Sequence, residues 1–254
     1  MEKSKVYFTN LRTTFDCNLL QKLKKLITAA GIGNIDFTNT YAAIKIHFGE
    51  PGNLAFLRPN YAKVVADTVK ELGGKPFLTD CNTLYVGGRK NALDHLDAAY
   101  ENGFSPFSTG CHVLIADGLK GTDETLVPIA GDYVKEAKIG TAIMDADVFI
   151  SLTHFKGHES TGFGGCLKNI GMGCGSRAGK MEMHSSGKPH VAQEKCVGCG
   201  SCQKDCAHSA ITITDRKASI DHAKCVGCGR CIGRCPVDAV QAASDEANDI
   251  LNCK

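Results

Sequence analysis

Apolar positions recur along the chain in two alternating rhythms. From Cys17 to Ala30, residues Leu19, Leu20, Leu23, Leu26, Ile27 and Ala30 follow helical spacing, with Asp16 as N-cap and Gly31 as stop. A second helix is expected from Pro59 to Leu72, with Val64, Val65 and Val69 facing inward and Gly73-Gly74 ending it. A third runs from Lys90 to Asn102. Between them, short apolar or alternating runs read as strands: Lys5–Thr9, Tyr41–His47, Lys75–Asp80, Cys111–Ala116, Ile139–Met144 and Val148–Leu152. Strands separated by helices of this length require crossovers, so the expected fold is α/β with a largely parallel sheet and crossover helices. Such sheets place their sites at the carboxyl ends of the strands.

Beyond Gly171 the rhythm stops. Residues 171–194 are rich in Gly, Ser, Lys and Met without apolar periodicity, which suits either a connector or an active-site loop. An internal repeat follows: Lys195-Cys-Val-Gly-Cys-Gly-Ser-Cys returns 29 residues later as Lys224-Cys-Val-Gly-Cys-Gly-Arg-Cys. Cys206 and Ala210 match Cys235 and Ala239 at the same offset, and two short strands, Ile211–Thr214 and Ala218–Asp221, lie between the copies. The expected division is an α/β domain at 1–190 with a candidate active-site loop at 153–174, a small α+β module at 191–242, and a tail at 243–254.

Composition sharpens this picture at one residue type. The chain of 254 residues holds 14 cysteines and no tryptophan, and eight of the cysteines fall between Cys196 and Cys235. A formal charge of +2, from 29 basic and 27 acidic side chains, offers no footprint for nucleic acid or an anionic membrane. No apolar run approaches the roughly 20 residues of a membrane span. Met1-Glu-Lys-Ser-Lys leads into no apolar stretch, so a secretory signal is not expected and a cytoplasmic location is. There thiols stay reduced, and clustered thiols are ligands.

Each copy of the repeat reads C-x2-C-x2-C-x3-C, the spacing of bacterial cubane clusters. Three thiolates of one loop wrap a cubane while the fourth cysteine, three residues on, points to the other. Cys196, Cys199, Cys202 and Cys235 are therefore expected to hold one [4Fe-4S] cluster, and Cys225, Cys228, Cys231 and Cys206 the second. Cys235 is followed by Pro236 but Cys206 by Ala207, which removes no ligand. A pair of structural zinc sites is the alternative, although each would need only two C-x2-C pairs. The stretch from Lys195 to about Ala242 resembles the two-cluster bacterial ferredoxin module. The resemblance implies low-potential, one-electron transfer. Two such clusters would bring the protein to a net charge of about −2.

Electrons need a destination, and the densest polar segment is the loop after Val148–Leu152. Its residues 154–174 carry His154, Lys156, His158, Glu159, Cys166, Lys168 and Cys174 among six glycines. The histidines suit metal ligation or proton transfer, and Lys168 a phosphate or a Schiff base. Gly162, Gly164 and Gly165 precede an expected helix start, where free N–H groups favour an anion. Cys166 and Cys174 are plain thiols on the simplest reading, as His95, His112, Tyr61 and Tyr85 are plain packing residues. Ile46-His-Phe-Gly-Glu, Leu78-Thr-Asp-Cys-Asn-Thr-Leu-Tyr, His154-Phe-Lys-Gly-His, Gly164-Gly-Cys-Leu-Lys-Asn and Met181-Glu-Met-His resemble domain-of-unknown-function family 362 over nearly the whole chain. The resemblance implies an iron–sulfur-associated α/β domain without an agreed reaction.

In a parallel sheet His47 and Glu50, Asp80 and Asn82, and Asp117 converge on the same edge as that loop. The expected catalytic residues are His154, His158, Lys168, His47 and Asp80. Arg58, Arg89, Lys156, Gly164 and Gly165 are expected to bind an anionic ligand there. The leading reading is an iron–sulfur oxidoreductase working with a ferredoxin-like redox partner. A non-catalytic electron-carrier or docking subunit is the alternative, as is a cluster- or metal-handling protein with Cys166 and Cys174 as transfer thiols.

Overall fold

The computed structural model describes residues 3–84, 87–132, 134–158, 162–185 and 188–242. Tyr85 and Glu159, named above, lie outside the described residues, as does the tail 243–254.

Helix α1 (Leu19–Ala29) begins two residues later than expected, because Asn18 and Gln21 close a reciprocal capping box that Asp16 does not join. Strand β1 (Tyr41–Lys45) leads through α2 (Pro59–Glu71) to β2 (Lys75–Asp80), and then through α3 (Ala92–Glu101) and α4 (Pro106–Thr109) to β3 (His112–Ile115). An antiparallel pair, β4 (Glu124–Pro128) and β5 (Glu136–Gly140), stands apart from the main sheet. Helix α5 (Thr141–Met144) returns the chain to β6 (Val148–Ser151). The main sheet has the order β3-β2-β1-β6 and is parallel throughout, confirming the α/β reading. The chain steps outward from β1 to β3 and then returns to the other side of β1. The sheet therefore switches direction between β1 and β6, which is where α/β folds open a crevice.

Two expected strands fail. Residues 5–9 pair with nothing among the described residues, and Val6 and Phe8 stay 89% and 85% exposed. Their alternation suits a strand locally, but a strand needs an edge to bond to. Ile139–Met144 divides at Gly140: the first part ends β5 and the remainder is α5. A Cβ at Gly140 would lie 2.7 Å from Cys81 Sγ, so the close approach of these backbones uses the glycine.

The main core lies between the sheet and its helices, with Ile44, Ile46, Leu78, Val65, Ala99 and Phe104 at its centre. Beyond β6 come a hairpin of β7 (Lys156–His158) and β8 (Gly162–Gly164), then α6 (Cys166–Gly171). Residues 171–194, expected to be featureless, contain helix α7 (Arg177–Ser185) and β9 (Pro189–Val191).

The cysteine-rich end contains α8 (Ser201–Lys204), the hairpin of β10 (Ile211–Thr214) and β11 (Lys217–Ile220), α9 (Arg230–Arg234), and β12 (Val240–Ala242). β12 pairs with β9, so the boundary expected at 190 falls inside a strand of this module. Its core includes Ile211, Ile232 and Val240, joined by Leu84 and Met181 from the larger part. No helix among the described residues is long and apolar enough to cross a membrane.

Candidate functional site

The two cysteine repeats fold alike. Gly200 and Gly229 cap the N-termini of α8 and α9 at φ 76° and 66°, a left-handed conformation that glycine adopts freely. Around them the eight cysteines divide into two sets. One small pocket is lined by Cys196, Cys199, Cys202 and Cys235. Another is lined by Cys206, Cys225, Cys228 and Cys231. In each set the fourth cysteine comes from the other repeat. Backbone N–H groups reach sulfur in matching positions: Ala210 N donates to Cys206 Sγ at 3.4 Å, and Ala239 N to Cys235 Sγ at 3.1 Å. Ala218 N donates to Cys196 Sγ at 3.3 Å. Such bonds stabilise thiolate charge and are one of the protein's levers on cluster potential.

Among the described residues no three His, Cys, Asp or Glu side chains stand close enough to share one metal ion.

The second candidate site opens at the carboxyl ends of β1, β2 and β6. A cavity of about 380 Å³ is lined by His47, Asp80, Arg89, His154, Lys156, Gly164, Gly165 and Lys168 of the expected residues. Arg58 and His158 are not among the lining residues. Arg58 is exposed at the N-cap of α2, and His158 lies opposite Gly162 in the β7–β8 hairpin. Asn82 and Asp117 are also absent from the lining. They are buried together, Asn82 N and Nδ2 each donating to Asp117 Oδ1 at 2.9 Å.

Asn169, the end of the Gly164–Asn169 motif, lines the cavity too, as do Lys45 and Lys180, which no sequence pattern had singled out. Lys45 ends β1, where the pattern reads as one more core position, and its buried ammonium meets Asp80 at 3.0 Å and Asn169 Oδ1 at 2.8 Å. A lysine inside a wholly apolar strand was the available signal. Arg89 is buried between Glu50, at 2.6 Å, and Asp80, at 3.5 Å.

Burial opposes the charge of Asp80, yet Lys45, His95, His47 and Arg89 hold its carboxyl well below the usual carboxylate range. His95, expected to be a plain helix histidine, has both ring nitrogens unpartnered among the described residues and is pushed down to about 3 by burial. Burial, then Arg89, lowers His47 to about 4. His47 is exposed, and its imidazole is neutral at pH 7 and able to accept a proton. Cys174 is buried and pushed up to about 11, which makes it a poor transfer thiol, while Cys166 is exposed beside Thr153. Five cationic side chains (Lys45, Arg89, Lys156, Lys168 and Lys180) face two carboxylates, Glu50 and Asp80, across the cavity.

Helix α7 joins the two sites. Lys180 lines the cavity, whereas the next residue, Met181, is fully buried in the core that contains Cys202 and Cys231. Lys90 pairs with Asp238, and Lys120 with Asp205 at 2.6 Å, across the same joint.

A family model described as a domain of unknown function, DUF362, matches residues 42–217. A model of the LdpA Fe-S cluster-binding domain matches residues 202–246. No curated protein matches the chain.

Proposed function

The chain belongs to the DUF362 family and is an iron–sulfur protein, and from that premise we propose that it is an oxidoreductase acting on a small anionic molecule. Two [4Fe-4S] clusters, on Cys196/Cys199/Cys202/Cys235 and Cys206/Cys225/Cys228/Cys231, would supply single electrons at low potential. The observation that carries the reading is α7, which puts Lys180 on the cavity and Met181 in the core of the cysteine module.

The cavity residues divide by role. Lys156, Lys168 and Lys180 line the cavity and supply positive charge to the anion. Lys45 and Arg89 are fixed by Asp80 and Glu50, so they present oriented donors at little reorganisation cost. His47 and His154 face the same space and can exchange protons with a substrate that gains or loses electrons. Val197, Val226 and Val237, each within or just after a cysteine loop, expose apolar surface of the kind a ferredoxin-like partner would cover. The reading requires a reducing compartment, since all eight thiols must stay reduced to hold iron.

The test uses anaerobically purified protein. About eight iron and eight sulfide per chain are expected, with two cubane signals by electron paramagnetic resonance. After reduction with dithionite, one of a set of carboxylate- or phosphate-bearing small molecules should speed reoxidation at least tenfold. That acceleration should disappear in Lys168→Ala with the iron content unchanged. Equal reoxidation in Lys168→Ala and the parent protein would sink the cavity assignment.

A further inference from the structure

Arg177 is the largest side chain in the structure with essentially no solvent exposure. It opens α7, and its Nε donates to the Lys120 carbonyl at 3.0 Å while Nη2 donates to the Lys90 carbonyl. Nη1 is buried with no hydrogen-bond partner among the described residues, and no ion pair compensates the guanidinium there. Three glycines make the space it occupies. A Cβ at Gly121 would lie 2.8 Å from Nε, one at Gly229 2.7 Å from Cγ, and one at Gly233 2.8 Å from Nη1. Gly229 follows Cys228 directly and Gly233 comes two residues after Cys231. Gly233 also sits inside α9, where glycine weakens a helix unless something needs the room. The unpartnered arm of the guanidinium therefore lies against the loop that carries Cys228 and Cys231.

An arginine is charged at any ordinary pH, and a buried, uncompensated charge is strongly unfavourable. Burial works against this one; Asp117 and the thiolates of Cys231 and Cys228 are the groups that favour it. Asp117 is outside ion-pair distance and already accepts two bonds from Asn82. The cations beside the other cysteine set are paired or exposed: Lys90, near Cys235, is paired with Asp238, and Lys217, which donates to the Cys196 carbonyl at 2.8 Å, is exposed.

We infer that Arg177 is the electrostatic partner of the cluster on Cys206, Cys225, Cys228 and Cys231, and that its charge makes this cluster the higher-potential member of the pair. The inference deepens the two-cluster reading above and rests on it. A [4Fe-4S] cluster with four thiolates gains one negative charge when it takes up one electron, so a fixed buried cation favours the reduced form. The cation neither gives up a proton nor changes redox state. The cluster it raises is the one packed against the start of α7, the helix that continues to Lys180 and the cavity. Electrons entering at the other cluster would then settle on the one beside α7.

The test is a potentiometric titration, followed by electron paramagnetic resonance, of the parent protein and of Arg177→Met and Arg177→Lys. The parent should give two resolved potentials. Arg177→Met should lower only the higher one, shifting that reduction equilibrium at least tenfold, about 59 mV for one electron. Arg177→Lys, which keeps a charge, should fall between. Unmoved potentials, or equal shifts in both clusters, overturn the inference while leaving the two-cluster reading intact. If Arg177→Met does not fold, Cys228→Ser and Cys199→Ser decide: the first should perturb the higher-potential signal and the second the lower. The reverse assignment overturns the inference. Parent protein without two cubane signals overturns the two-cluster reading, and the inference with it.

Discussion

Lys45 and Asp80 end adjacent parallel strands one register step apart, and their side chains meet at 3.0 Å at the floor of the cavity. Removing one member leaves the other as a buried charge, and Lys45→Met is expected to cost about 3 kcal/mol of stability, the low end for a broken buried pair because Arg89 still faces Asp80. Denaturant unfolding under anaerobic conditions measures this. Acid sensitivity has two windows, the upper shared by His95 and His47 and the lower set by Asp80. His95 is held neutral with a folded pKa of about 3, below its unfolded value near 6.5, so the unfolded chain binds the proton first. Stability is then lost as pH falls below about 6.5, by up to about 1.4 kcal/mol per pH unit. Asp80 also has a lowered folded pKa, and its contribution is lost only below about 3.9. His95→Gln should flatten the loss between pH 6.5 and 4.5 relative to the parent; an unchanged slope in that range rules His95 out as a source of it.

Elements show where local pattern and tertiary contact part company. The periodicity of α1 was legible, but its start was not, because Asp16 and Asn18 are both good caps by type and only the Gln21 reciprocal bond selects Asn18. Asn18→Ala should cost about 1 kcal/mol and Asp16→Ala less than about 0.5 kcal/mol, compared by thermal unfolding. After α6, Gly173 passes so close to β1 that a Cβ would stand 2.1 Å from the Asn169 carbonyl oxygen and 2.6 Å from Lys45 Nζ. Gly173→Ala should destabilise by about 1–3 kcal/mol through overpacking and displace the Lys45 ammonium. The displacement should appear as weaker protection against thermal unfolding by inorganic phosphate. Helix α7 was invisible to apolar periodicity because its faces serve different neighbours: Arg177 and Met181 meet the cysteine module while Lys180 meets the cavity.

At the scale of the molecule, the cysteine module has a thin core. Cys196, Cys202 and Cys231 are themselves part of it, beside Ile211, Ile232 and Val240. Withdrawing iron with a chelator is expected to raise amide hydrogen exchange across 189–242, since metal binding in such modules is folding energy. Because Arg177 and Met181 reach into that module, α7 should loosen with it. Amides of β1 and β2, at the centre of the parallel sheet, should keep their protection. Loss of protection in β1 to the same degree would mean that the chain unfolds as one unit.

The sequence by itself determined the α/β class, the parallel strands around β1, and the two crossed sets of four cysteines. Each of these is written in a local period or a fixed spacing. It also placed His47, Asp80, His154 and Lys168 on one edge, since parallel strands must end together. Tertiary structure alone decided which charges meet there: that Lys45 and Lys180 join the cavity, that Arg58 and His158 stay outside it, and that Arg177 lies buried against Gly229 and Gly233. The physical reason is range. Periodicity and spacing act within a few residues, whereas a buried charge is placed by groups dozens of positions away, and no local pattern records that cost or its compensation.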